Sequence, residues 1–482
     1  MTVSDAHRDV HAVVLGGSLA GLLAARVLSD YFVHVTLVER DRWGDAPEHR
    51  RGVPQGRHAH ALLARGTRLL EHWFPGIVQE LGEAGATVCD LGANARWWHF
   101  GGCKVQFESG LIGPFMSRPL LEWTIRRRVL ALPNVSALIG TDVRALEMSA
   151  ARSRVTGVRL VSGGDDPAGP GQLLGADLVV DATGRGSRTP QWLTAFGYTA
   201  PETVEVRIDA GYTTRLYRRD AADLSGAKMV FVLPTPPEER RMGALFPIEG
   251  DRWIVTLGGW GGDHAPASED GFRAFARSLP LPEVSAVIER GRALSDFATY
   301  KFPSNLRRRY ERLDRFPGGL LVMGDAICSF NPIYGQGMSV SAGEAEALER
   351  CLVERRNGSA APIAPRFFRR AARVVETPWM IAVGEDFRFR ETRGTKPRGT
   401  DFVNWYTAHV HAASHVDPVV CHAFYDTMNL LKPPASLFAP RIALRLLRHG
   451  LRRGARGPEP ARADGRPAGG RMGDGVMSTT AR

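Results

Sequence analysis

The segment that most restricts the fold of this chain is HAVVLGGSLAGLLAARVLSDYFVHVTLVER, residues 11–40. An apolar run, a glycine turn, a helical run with small residues near its start and a second apolar run make one βαβ unit. The turn, Gly16-Gly17-Ser18-Leu19-Ala20-Gly21, follows the pattern G-x-G-x-x-G with Ser18 in place of the middle glycine. Glycines permit a tight turn and a close backbone approach, so a pyrophosphate can lie on the amides at the helix N-terminus. Glu39 ends the second strand 18 residues after Gly21, near the place of a carboxylate that holds an adenosine ribose. A glycine pattern alone is weak, and a plain βαβ connection with a surface glutamate is the alternative.

A second strand–turn–helix is expected at residues 316–345, where LLVMGD leads through a Gly/Pro loop to a helix starting near Met338. Such a helix start favours negative charge on a ligand, although an ordinary connection has the same pattern. Between the two units, SRPLLEWTIRRRVLAL predicts a helix capped by Ser117 with Pro119 in its first turn. Residues 205–310 alternate in the manner of an antiparallel sheet. The stretch to about 450 is largely helical, broken at Pro433-Pro434.

At 482 residues the chain exceeds one ordinary core. No apolar run approaches the roughly 20 residues that span a bilayer, and MTVSDAHRDV lacks the apolar core of a secretory signal. Five scattered cysteines without a CxxC suggest reduced thiols, hence a cytoplasmic setting. Of the net charge of +11, +7 lies after residue 440, where ten arginines face Glu459, Asp464 and Asp474. Residues 451–482 are therefore expected to be a disordered basic tail. The body has no basic face interleaved with aromatics, which argues against nucleic-acid binding. The stretch LFAPRIALRLLRHGLRRG is basic and amphipathic, and a helix docked on the body is favoured over membrane contact. His411 and His415 have a spacing that can bind metal, but no acidic third ligand is near in sequence, so no metal is expected.

Three segments in order, GGSLAG…VER, ADLVVDATGRGSR and GDAICSFNPIYGQGM, resemble the FAD-dependent monooxygenases of the aromatic-hydroxylase type. RGVPQGRHAHALLARG and SRPLLEWTIRRRV are similar to an actinobacterial branch that contains polyether-polyketide epoxidases. The resemblance covers roughly residues 10–345.

It implies an α/β fold: a Rossmann-like FAD-binding domain (8–85, 116–204 and 312–360), an inserted mixed or antiparallel β-sheet substrate domain (86–115 and 205–311) and a C-terminal helical region (361–450). Carried over by position, Gly16, Ser18, Leu19, Ala20 and Gly21 cradle the FAD pyrophosphate, and Glu39 and Arg40 hold the adenosine. Arg126 reaches the FAD linker, and Asp325 binds the ribityl or pyrophosphate region. Pro332, Gly335, Gln336, Gly337 and Met338 follow the isoalloxazine ring, and Arg57, His58 and His60 border it.

The chemistry implied is oxygen transfer from a flavin C4a-hydroperoxide to a hydrophobic polyketide- or terpenoid-like molecule, by epoxidation or hydroxylation. The flavin carries the reaction, so no catalytic acid–base pair is expected. Candidate pocket residues are Trp97, Trp98, Phe100, Phe115, Phe246, Trp253 and Trp260. Thr183 stands where many hydroxylases carry aspartate, which leaves NAD(P)H or a separate flavin reductase as electron donor. The expected state is monomer or homodimer. The rivals are a halogenase, whose lysine and GWxWxIP motif GGWGGDH does not supply, and an isoprenoid-type double-bond reductase. A third is a non-enzymatic nucleic-acid-associated protein using the tail.

Overall fold

The computed structural model describes residues 9–162, 171–220 and 222–454. The tail expected from residue 451 lies, beyond 454, outside these. Five parallel strands form one sheet in the order Leu320–Val322, Leu178–Asp181, Asp9–Leu15, Phe32–Glu39 and Val135–Ile139. Val13, Val14, Val179, Val180 and Leu321 are fully buried. Strands covered on both faces read as unbroken apolar runs, which is the pattern of HAVVL and LVVD.

Helix Leu19–Ser29 buries nine of its 11 residues. It is packed against this sheet and against helices Arg118–Leu130 and Gly337–Arg356, so a helix apolar or small nearly all round suits it. Leu22, Leu23 and Leu28 have no exposure, each contributing roughly 1.5–3 kcal/mol relative to exposure. Helix Arg118–Leu130 starts as its sequence predicts: Ser117 caps it, accepting from Leu120 N at 3.2 Å.

A three-stranded antiparallel sheet, Thr141–Met148, Val155–Ser162 and Gln172–Gly175, flanks the first. The second large sheet has eight strands. From one edge they are Cys328–Ser329, Ala298–Arg308, Thr203–Arg218, Arg252–Gly259, Arg241–Ile248, Met229–Val232, Ala95–His99 and Gly102–Cys103. It is mixed, because Met229–Val232 pairs in parallel with Ala95–His99. Successive residues point to opposite faces, and here both faces are buried. Leu245, Trp253, Val255 and Leu257 meet helices Glu269–Arg277 and Pro282–Arg290, whereas Met242, Ala244, Phe246 and Ile254 join the main core.

Helices Ile363–Asp386, Thr400–Ala413, Pro418–Met428 and Pro440–Gly454 complete the described chain. Pro433-Pro434 separates the last two. All five cysteines are free thiols. Among the described residues no helix is long and apolar enough to cross a membrane.

Candidate functional site

Neighbouring parallel strands end at Leu15, Asp181 and Val322. The segments leaving them, residues 16–20, 182–186 and Asp325, wall one cleft. This is the crevice at the carboxyl ends of strands where open α/β sheets bind ligands. Gly16 has φ +97°, and a Cβ there would stand 2.6 Å from Ala182 O. A Cβ at Gly21 would stand 1.8 Å from Gly16 O, so the turn closes only with glycine at both positions.

Ser18, in the middle-glycine place, is tied into a buried charge network. Its Oγ donates to Glu122 at 2.9 Å and accepts from Arg118 at 3.0 Å. Arg50 bridges Glu39 at 3.1 Å, Asp41 at 3.3 Å and Glu122. Burial alone would push the Glu122 carboxyl up, but Arg118 and Arg50 outweigh it and hold it below the usual carboxylate range. Glu39 accepts from Gly17 N and Asp41 N at 2.8 Å each, which aims its carboxylate at one end of the cleft. Arg40 is exposed at the same end.

Asp325 lines the middle of the cleft, where burial pushes its carboxyl up against the pull of Arg118 and Arg185. Farther in, Asn331 accepts from Ile333 N at 3.3 Å and starts the turn Pro332–Tyr334. Gly335 (φ +63°) closes that turn, and helix Gly337–Arg356 follows. Pro332, Gly335, Gln336, Gly337 and Met338 all line this inner end. The first N–H groups of a helix lack helical acceptors, and its start favours negative charge. Gln336 is 1% exposed, yet neither end of its amide has a protein partner. A ligand would satisfy it. Nothing lies within 4 Å of where a Cβ at Gly184 or Gly337 would stand, so both leave room along the cleft. The residues present fit an elongated dinucleotide: glycine amides for pyrophosphate, Glu39 for a ribose, a helix start and an orphan amide for a ring.

A second cavity continues from the inner end, and Gln55, Ala59, His60, Ala61, Pro332 and Gly335 line both. Its walls include Trp97, Phe115 and Phe246, together with Phe231, Leu233, Met229 and Met242. Among the described residues no Asp, Glu, Lys or Arg lines it. Burial, then the positive charge of His49 and Arg57, brings His58 down to about 4. Burial and Arg118 bring His60 down to about 3. Both imidazoles are therefore neutral near pH 7, and the chamber is uncharged. His60 Nδ1 lies 2.9 Å from His58 O; a carbonyl only accepts, so Nδ1 carries the proton and Nε2 is left as an acceptor.

Behind the chamber, the buried Asp386 carboxylate accepts from Asn305 (2.7 Å), Trp260 (3.0 Å), Asn331 (3.0 Å) and Tyr334 OH (3.1 Å). Tyr212 OH donates to Asn331 Oδ1. This cluster fastens the turn at 331–335 to the end of helix Ile363–Asp386. Thr183, where many hydroxylases carry aspartate, donates through both its N–H and its hydroxyl to Asp181.

Several residues lie elsewhere than the sequence suggested. Arg126 hydrogen-bonds Gly44 O at 3.0 Å and packs over Trp43, away from the cleft. Arg118 reaches the cleft instead, since eight residues of helix separate the two arginines by about 12 Å. Arg57 is exposed and lines neither cavity, and His58 lines only the chamber. Trp260 is turned toward Asp386 and stacks on Phe389. Phe100 stacks on His411, Trp253 belongs to the core under the far face of the large sheet, and Trp98 packs against that core. Arg50, Arg118, Glu122 and Asp386 were not singled out by sequence; only Arg118, at a capped helix start, carried any signal.

His411 meets His99 and Glu385 rather than His415 as a possible metal cluster. Both Glu385 oxygens already accept from Arg388, and His411 Nδ1 faces Lys104 Nζ at 3.0 Å. The Arg388 guanidinium on Glu385 opposes a further cation there.

The chain shares its fold with flavin-dependent enzymes. PqsL of Pseudomonas aeruginosa, a probable FAD-dependent monooxygenase, aligns with TM-score 0.58 and 19% identity over 79% of this chain and 97% of its own. The flavin-dependent brominase Bmp2 aligns with TM-score 0.61 and 14% identity over 92% and 100%. A flavoprotein/dehydrogenase from Cytophaga hutchinsonii aligns with TM-score 0.65 and 14% identity over 92% and 99%. No protein-family model matches the chain. Protein Rv3254 of Mycobacterium tuberculosis (strain ATCC 25618 / H37Rv) is 34% identical over 461 residues, 92% of this chain and 94% of its own, and the chain belongs to the same family as that protein.

Proposed function

We propose that this protein is an FAD-dependent monooxygenase that places one oxygen atom of O2 on a neutral, apolar small molecule. One observation carries the reading: an elongated cleft adjoins an uncharged apolar chamber, and Pro332 and Gly335 line both. The balance is substrate, O2, two electrons and two protons giving oxygenated product and water. Bound and reduced, FAD would supply the activation of dioxygen.

The residues of the chain would bind, orient and shield. Glu39 holds the ribose, while the amides of the 16–21 turn, with Arg118 beside them, take the pyrophosphate. The helix start at Gly337 and the Gln336 amide meet the ring. The chamber walls keep water from the reacting atoms and hold the substrate close to the ring. His60 Nε2, at the junction, can accept a hydrogen bond from a substrate hydroxyl.

Among the described residues no lysine lines cleft or chamber, which favours oxygenation of an alkene or activated ring over halogenation. The polyketide or terpenoid class is supported by the chamber's apolar walls. The donor is NAD(P)H or a separate reductase. Purified protein should be yellow, release one FAD per chain on denaturation, and consume O2 in step with oxygenated product. Colourless protein that takes up no FAD would sink the reading, and product formed by reduction without O2 would shift it to a double-bond reductase.

A further inference from the structure

Exposed large apolar side chains gather near the C-terminal end of the described chain: Phe402, Trp405, Phe438, Leu444, Leu447 and Leu451. Helix Pro440–Gly454 docks on the body through Ile442 and Leu446, which are 5% and 8% exposed. Leu444, Leu447 and Leu451 are 55%, 64% and 76% exposed. At about 100° per residue these three share a stripe opposite the docked pair. A helix packed on a body needs one apolar stripe; this one has two. Phe438, just before the helix, stacks on Tyr406 at 4.2 Å and lies 6.2 Å from Phe402, which reaches Trp405 at 5.9 Å. The aromatic patch therefore adjoins the helix start. Arg441 and Arg448, both exposed, lie seven residues apart beside the leucine stripe, and Arg445 between them pairs with Asp417 at 2.7 Å.

We propose that this face docks on an anionic lipid bilayer. The leucines enter the acyl boundary, Phe402 and Trp405 sit at headgroup depth, and the arginines meet lipid phosphates. Charge selects this occupant, because PRIALRLLRHGLRRG contains five arginines and no acid. A second copy in a two-fold contact would bring two patches of the same positive sign together. The Gly/Pro/Arg-rich residues after 454 hold too few apolar side chains to cover leucines. Contact of this kind is peripheral, and it delivers a protein with an apolar chamber to the phase where apolar molecules concentrate.

Sedimentation of the full-length protein with vesicles tests this. At low salt it should pellet with phosphatidylglycerol/phosphatidylcholine vesicles, about tenfold more weakly with phosphatidylcholine alone, and less as salt rises. Leu447→Ser with Leu451→Ser should weaken binding at least about tenfold, and Arg441→Gln with Arg448→Gln should abolish the preference for anionic lipid. Both pairs should keep the melting temperature of the parent, since the altered side chains are exposed. Wild-type protein that stays in the supernatant, or a leucine variant that pellets as well as the parent, overturns the proposal. So does a dimer seen by light scattering that the leucine changes disperse while vesicles go unbound.

Discussion

Gln336 is a buried amide with oxygen and nitrogen both unpartnered in the protein. An unsatisfied buried polar group costs about 1–3 kcal/mol, which a bound ring with matching donors and acceptors would recover. Gln336→Met keeps the volume and removes the amide, so FAD affinity should fall about tenfold, read by visible-absorbance titration of apoprotein. Unchanged affinity would mean that the amide never meets the flavin. The two arginines of helix Arg118–Leu130 allow a paired comparison. Arg118→Ala should weaken FAD retention about tenfold or more, because Arg118 lines the cleft beside Ser18 and Glu122. Arg126→Ala should leave retention close to the parent. The opposite order would restore the position-based reading of Arg126.

At the scale of elements, the turn at 331–335 owes its place to a carboxylate on another helix. Asp386 takes four donors, two of them from Asn331 and Tyr334 in that turn. Asp386→Asn keeps the shape but points an N–H group at those donors, at a cost of about 1–3 kcal/mol. Burial pushes the Asp386 carboxyl up to about 6 from its ordinary 3.8. Across that interval the folded protein keeps a proton there that the unfolded chain has released. Its contribution to stability therefore falls as pH rises from about 4 to about 6, and is level above. Asparagine does not titrate, so the advantage of wild type over Asp386→Asn should narrow over that window in urea midpoints. An advantage that widens instead would show Asp386 to be held ionised. A helix-end carboxylate 55 residues from Asn331 leaves no trace in a local sequence pattern.

The whole molecule is arranged so that two sheets and a helical region meet around one ligand space. Phe246 stands on the chamber wall and packs at 5.5 Å from Phe115 and 5.8 Å from Phe231. Phe246→Ala should leave FAD content intact, admit water, and raise the peroxide released per O2 consumed several-fold, measured by peroxidase-coupled assay. Coupling equal to the parent would show that Phe246 does not shield the reacting atoms.

The glycine turns, the parallel strands and the order of the elements were legible in sequence, because backbone approach and full burial each demand particular residues locally. Gly16, Gly21 and the apolar runs of the first sheet are cases of this. The chamber wall was legible only in part: of the seven aromatic candidates, Trp97, Phe115 and Phe246 line it, and Trp98, Phe100, Trp253 and Trp260 do not. In the large sheet Phe246 and Trp253 are both buried aromatics, but Phe246 pairs with Ile254 while Trp253 pairs with Pro247. That one-residue difference in register sends Trp253 to the far core, and alternation cannot rank two faces that are both apolar. The same limit separates Arg118 from Arg126 and hides Asp386. By itself the sequence determined which backbone segments turn tightly enough to wall the cleft. Only the tertiary structure decided which side chains face it, since facing depends on register and helix phase across contacts far apart in the chain.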